Sequence, residues 1–199
     1  MRLIIALLLV LVPASVFASP ITFDFRAPGI EDIDEVNSFS LLQDGLTVTL
    51  TAFPTTFSGN DVVLNRTASA FGINVVGTTC GGLEDSALID GGCTGEYVTM
   101  SFDQNVFLNS LTVSSFGSLD VGRITIGSTN LDVLSTGAYS LGNPFLAAGD
   151  TFSLAWMSGN GFSFDNLTVT AAPEPSSLVL LVFGTGLIGL AVFRGRLRA

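Results

Sequence analysis

The sequence predicts an all-β domain, an antiparallel β-sandwich of jelly-roll-like type, followed by one C-terminal transmembrane helix. Three observations carry the prediction. Between residues 19 and 172 the dominant apolar period is two rather than 3.6, turn residues recur at short spacing between the alternating runs, and after residue 18 a long unbroken apolar stretch appears only beyond residue 177.

Taken in order, the chain begins with Arg2, an apolar run from Leu3 to Val12, and Val16-Phe17-Ala18. A basic start, a short apolar centre and small residues at the positions a signal peptidase reads predict a secretory signal peptide over 1–18. The apolar run is short for a membrane span and Pro13 follows it, so cleavage after Ala18 is expected.

Clean alternation then marks Ile21-Thr22-Phe23-Asp24-Phe25, Leu46-Thr47-Val48-Thr49-Leu50, Tyr97 to Phe102, Ile124-Thr125-Ile126, and Phe162-Ser163-Phe164 continuing through Leu167-Thr168-Val169. Each reads as a half-buried strand. Weaker strands are expected near Ala70 to Val76, Val106 to Phe116, Leu131 to Leu134 and Thr151 to Met157, giving about nine in all. Asp44-Gly45, Ser58-Gly59-Asn60, Gly81-Gly82, Gly91-Gly92, Gly142-Asn143-Pro144 and Ser158-Gly159-Asn160-Gly161 supply the turns between them. The acidic segment Glu31 to Val36 reads as a solvated loop. Phe152, Leu154 and Trp156 fall on one face of their strand, which places the single tryptophan in the core rather than on the surface. One domain, 19–172, is the expected organisation.

Composition narrows the chemistry. The chain has no lysine and no histidine, and between residues 19 and 172 only Arg26, Arg66 and Arg123 stand against sixteen carboxylates, a net charge of −13. Nucleic acid is excluded as a partner because phosphate binding needs clustered cations. Without histidine there is no Ser-His-Asp or Cys-His catalysis, and without lysine no Schiff base. An enzyme would have to run on carboxylates alone, as glycosidases do. No catalytic residue is assigned, and the expectation is a non-enzymatic protein.

Asn60, Asp61, Glu84, Asp85, Asp90 and Glu96 supply the hard oxygens that Ca2+ takes, without EF-hand spacing. The plainer reading of the same acids is a solvated surface, and no cofactor is expected. Carbohydrate contact would call for exposed aromatic platforms, and the chain has only Trp156, Tyr97 and Tyr139 beside its sixteen phenylalanines.

The tail is the most specific segment. Pro173-Glu174-Pro175 is followed by an apolar run from Leu178 to Phe193 and then by Arg194, Arg196 and Arg198. At roughly 1.5 Å per residue the run reaches about 24 Å, enough to cross a bilayer with the arginines snorkelling to the cytoplasmic face. The prolines prevent a helix from propagating back into the domain.

Pro-Glu-Pro, a short apolar helix carrying Gly184, Gly186 and Gly189, and an arginine cluster together resemble the PEP-CTERM sorting signal of bacterial proteins. The resemblance implies that 173–199 is a sorting signal recognised by an exosortase, a membrane-embedded cysteine transpeptidase. It implies export, tethering through 178–193 and delivery to the cell surface or extracellular matrix. It assigns no activity to the domain. The stretches Gly72 to Val75, Leu88 to Gly91, Glu96 to Asp103, Val106 to Leu108 and Gly161 to Val169 are in turn similar to the sandwich of other proteins with such tails. An exopolysaccharide-binding module is the alternative role, and a glycan-active enzyme the third.

Cys80 and Cys93 share one loop, flanked by Gly81-Gly82 and Gly91-Gly92. In an exported chain an even cysteine count reads as a disulfide, worth roughly 3 kcal/mol in the chain-entropy account for a loop of this size. Two thiols without histidine make a poor zinc site. Protein recovered from outside the cytoplasm should therefore gain no mass on thiol alkylation until it is reduced; two alkylated thiols in the native protein would remove the bridge.

Overall fold

The computed structural model describes residues 18–26, 33–54, 56–57, 60–66, 71–75, 79–80, 83–84, 88–91, 95–172 and 186. The expected span 178–193 falls almost wholly outside them. Among the described residues no helix is long and apolar enough to cross a membrane. Ser19–Ala172 forms one compact unit.

Among its described residues there are seventeen strands. They are β1 (Pro20–Asp24), β2 (Ile33–Val36), β3 (Ser38–Gln43), β4 (Leu46–Phe53), β5 (Thr56–Phe57), β6 (Asn60–Arg66), β7 (Phe71–Val75), β8 (Thr79–Cys80), β9 (Leu83–Glu84) and β10 (Tyr97–Phe102). The second half holds β11 (Val106–Ser114), β12 (Val121–Ile126), β13 (Thr129–Val133), β14 (Gly137–Ser140), β15 (Phe145–Leu146), β16 (Thr151–Ser158) and β17 (Ser163–Ala171). All pairings are antiparallel.

Two sheets make the sandwich. One has the order β1-β17-β11-β14, with β15 also on β11; the other has the order β13-β12-β16-β10-β4-β3. Their connectivity is a nested ribbon. The hairpin β12·β13 lies in the six-stranded sheet, β11·β14 in the other, β10·β16 back in the first, and β1·β17 in the second. A two-stranded ribbon wrapped alternately between two sheets is the jelly-roll path. The strands β2 to β9 are inserted between the ribbon's first strand and its next, β10. Of these, β3 and β4 widen the six-stranded sheet, while β2, β5, β6 and β7 form a third, smaller one.

Alternation along the strands decides what faces inward. In β4 every second residue from Leu46 to Ala52 is buried and the threonines between are half-exposed. Phe23 of β1 meets Phe102 of β10 across the sandwich, ring centroids 6.1 Å apart. Phe25, Phe71 and Phe164 pack edge-on, with Phe71 and Phe164 at 4.6 Å and Phe25 and Phe164 at 5.1 Å, joining the small sheet to the main core. Truncating a ring so enclosed costs about 3–5 kcal/mol. Asn37 also stitches the sheets: its Nδ2 donates to the carbonyls of Ala52 on β4 and Val62 on β6, at 3.1 and 2.9 Å.

Several expectations change. Ile33–Val36 is a strand rather than a loop, paired with β6 through Ile33 to Arg66 and Val36 to Leu64, across a bulge. Strand β6 was hidden because Val62, Val63 and Leu64 are all buried, leaving no period of two to read. Trp156 lies on the inward face with Phe152 and Leu154, but a bulge opposite Val121 and Gly122 leaves it only partly buried. Its ring lies directly over Gly91, where a Cβ would come within 2.3 Å of it.

Candidate functional site

Pro20 on β1 stands opposite Thr170 on β17, so the chain enters and leaves the domain side by side at one end of the sandwich. That end is tightly tied. Ala172 N–H donates to the Asn105 carbonyl at 2.8 Å, Asn105 Oδ1 accepts from Ala148 N–H at 2.9 Å, and Gly149 N–H donates to the Phe102 carbonyl at 2.9 Å. Thr47 N–H donates to Asp103 Oδ1 at 2.9 Å, and Gln104 Nε2 donates to the Gly45 carbonyl at 2.8 Å. The segment after Ala172 starts from this end.

The opposite end is organised by buried carboxylates. Asp120, 5 % exposed, accepts from Gly117 N–H at 2.5 Å and from Asn160 N–H at 2.6 Å, joining the β11–β12 loop to the β16–β17 loop. Gly159 sits at φ 96° with the Asp120 backbone so close that a Cβ would collide with it. Asp165 takes Arg26 Nη2 at 2.5 Å and the Ser114 hydroxyl at 2.6 Å. Glu96, also buried, accepts from Asp90 N–H at 2.9 Å, and Glu96 N–H donates to the Asp90 carbonyl at 3.2 Å.

The structure places the sequence-derived candidates as follows. Asp90 and Glu96 meet in that loop closure, while Asp61 stands exposed on β6. Asn60 and Glu84 fall on β6 and β9, and Cys80 falls on β8. Cys93, Asp85, Pro173, Glu174, Pro175, Arg194, Arg196 and Arg198 lie outside the described residues. Among the described residues no three Cys, Asp or Glu side chains gather as a metal site would require.

Of the domain's arginines, Arg123 pairs with Asp132 at 2.8 Å on the surface and Arg26 with Asp165. Arg66 is 2 % exposed and lies 5.8 Å above the Phe39 ring, and its Nη1 and Nη2 have no hydrogen-bond partner among the described residues. Burial pushes its guanidinium below the usual arginine value, against the opposing pull of Asp24. At Tyr139 burial and hydrogen bonding oppose each other. Burial works to raise its phenol, but hydrogen bonds from Ser135 and the Leu134 and Ser135 amides outweigh it and hold the group below the ordinary tyrosine range.

Sequence reasoning also missed an arrangement on the outer face of the six-stranded sheet. Register aligns Ser38, Thr51, Thr99, Ser153, Thr125 and Asn130 in one row across all six strands. Ser40, Thr49, Ser101 and Thr151 form a second row beside it. On the other side, Tyr97 stacks on Phe53 with centroids 5.1 Å apart and planes 9° from parallel. At about 4.8 Å between strands the first row extends about 24 Å. Its signal in the sequence was the threonine at every second position of β4, but membership of a row depends on register.

A family model for the PEP-CTERM protein-sorting motif matches residues 171–197. The chain carries that sorting motif. Its first matched residue, Ala171, is the last residue of β17, opposite Val106, so the PEP-CTERM motif begins inside the folded sheet. No curated protein and no solved structure matched the chain.

Asp120→Ala should release both loop amides. Exchange at Gly117 and Asn160 is expected to accelerate, with a stability loss of about 1–3 kcal/mol in denaturant unfolding. Unchanged protection at both amides would show that Asp120 does not hold the loops.

Proposed function

We propose that the protein is an exported, non-enzymatic domain that is handed to an exosortase through its PEP-CTERM motif and reaches the cell surface or extracellular matrix. The observation that carries this reading is the motif match over 171–197, running directly on from β17. The amino-terminal signal peptide and the apolar run 178–193 with Arg194, Arg196 and Arg198 agree with it. In this reading the helix holds the chain in the membrane with the arginines inside. The prolines keep Pro173-Glu174-Pro175 extended at the outer face, where an embedded enzyme can reach the backbone.

Glu174→Ala should leave export and insertion intact, because neither the signal peptide nor the apolar run is touched, and should block processing. The C-terminal fragment, followed by mass in hosts with and without the exosortase gene, reports it. Identical processing in both hosts would sink the assignment.

A second reading is favoured by the hydroxyl rows. A face of Ser, Thr and Asn side chains beside a Tyr97–Phe53 stack suits a hydroxylated polymer such as the cell's own exopolysaccharide. The sheet's twist argues for a flexible strand that follows one row rather than a flat crystalline surface. Thr99→Val with Ser153→Ala removes two adjoining hydroxyls and retains outward-facing side chains. If each contributes about 1 kcal/mol, retention in affinity electrophoresis against exopolysaccharide should weaken about thirtyfold. Equal mobility of variant and parent would take the glycan away from this face.

A further inference from the structure

The chain passes from the folded sheet into the sorting motif without a spacer. Thr170 is flanked by Pro20 and Phe107, Ala171 stands opposite Val106, and Ala172 N–H is spent on the Asn105 carbonyl at 2.8 Å. Pro173 comes next. Neither Pro173 nor Pro175 has an N–H to offer. The nearest backbone donors upstream of Glu174 are therefore those of Ala172 and Ala171, at the end of the ladder.

An enzyme that acts on an extended peptide commonly takes hold of it through main-chain hydrogen bonds on both sides of its target bond. Here the nearest upstream donor, the Ala172 N–H, is already engaged. Strand ends open locally at a cost far below global unfolding, so the obstacle is a gate rather than a block.

We propose that the docked end of β17 gates processing: the sorting motif becomes a substrate only when Ala171 leaves Val106 and Ala172 leaves Asn105. This rests on the exosortase reading above. The chemistry downstream is ordinary acyl transfer. The scissile carbonyl passes to the enzyme's cysteine thiolate, the tail's nitrogen leaves with a proton, and an amine or water then takes the acyl group; nothing is oxidised or reduced. The fold's contribution is timing. Because β17 seats between β1 and β11, strands far apart in the chain, a seated end marks a folded domain, and an unfolded domain exposes the same segment.

The test follows loss of the tail by pulse-chase and mass in an exosortase-bearing host. It uses three full chains: the parent, a chain with six Gly/Ser residues inserted between Ala172 and Pro173, and Asn105→Gly. The insertion supplies free backbone upstream of the motif and should speed processing about tenfold, the factor set by about 1.4 kcal/mol of local opening. Asn105→Gly removes the side-chain bond to Ala148 that steadies the Asn105 carbonyl, leaves the tail unchanged, and should speed processing about threefold if it weakens the end by about half as much. A melting curve near the parent's establishes that this variant is folded. An unchanged rate for folded Asn105→Gly overturns the gate, even if the insertion accelerates loss. Failure of all three chains to be processed overturns the exosortase reading, and the gate with it.

Discussion

β17 lies between β1 and β11, and this pairing of the domain's last strand with its first is what closes the sandwich. Thr22 and Thr168, which share a hydrogen bond at 3.0 Å, are 146 residues apart in the chain. Bringing them together costs loop-closure entropy that no local contact repays. The return comes from Ile21, Phe23, Leu167 and Val169, all buried in the common core. With β17 absent, β1 has no partner in its sheet and β11 loses one flank.

That closure also fixes orientation. The entering and leaving segments emerge at one end, where the loops at 44–47, 102–105 and 147–150 are tied to one another. The loops held by Asp120 and Asp165 lie at the other.

The distribution of polar groups follows from a chain without lysine. Outward positions on the strands are filled largely by threonine and serine, whose small or β-branched side chains suit the pleat. Several carboxylates that composition alone reads as solubilising are instead buried and used. Asp120 and Glu96 accept backbone N–H groups, and Asp165 holds Arg26 and Ser114, in keeping with the rule that buried polar groups find partners. Among the described residues the Arg66 guanidinium departs from that rule, buried and resting over Phe39.

The sequence by itself determined the strands whose two faces differ. Ile21 to Asp24, Leu46 to Ala52, Tyr97 to Phe102 and Leu167 to Val169 declare themselves because one face meets the core and the other water, and a period of two is a local property. The tail was legible for a similar reason, since prolines, an apolar run and arginines act through their order along the chain. Only the tertiary structure decided the rest. Val62 to Leu64 do not alternate because both faces of β6 are covered, and Ile33 to Val36 become a strand only because Leu64 and Arg66 are there to pair with. The row from Ser38 through Thr99 to Asn130 and the seating of Ala172 on Asn105 depend on register between strands far apart in the chain. Register is set by pairing and by the shared core, and no window of neighbouring residues contains it.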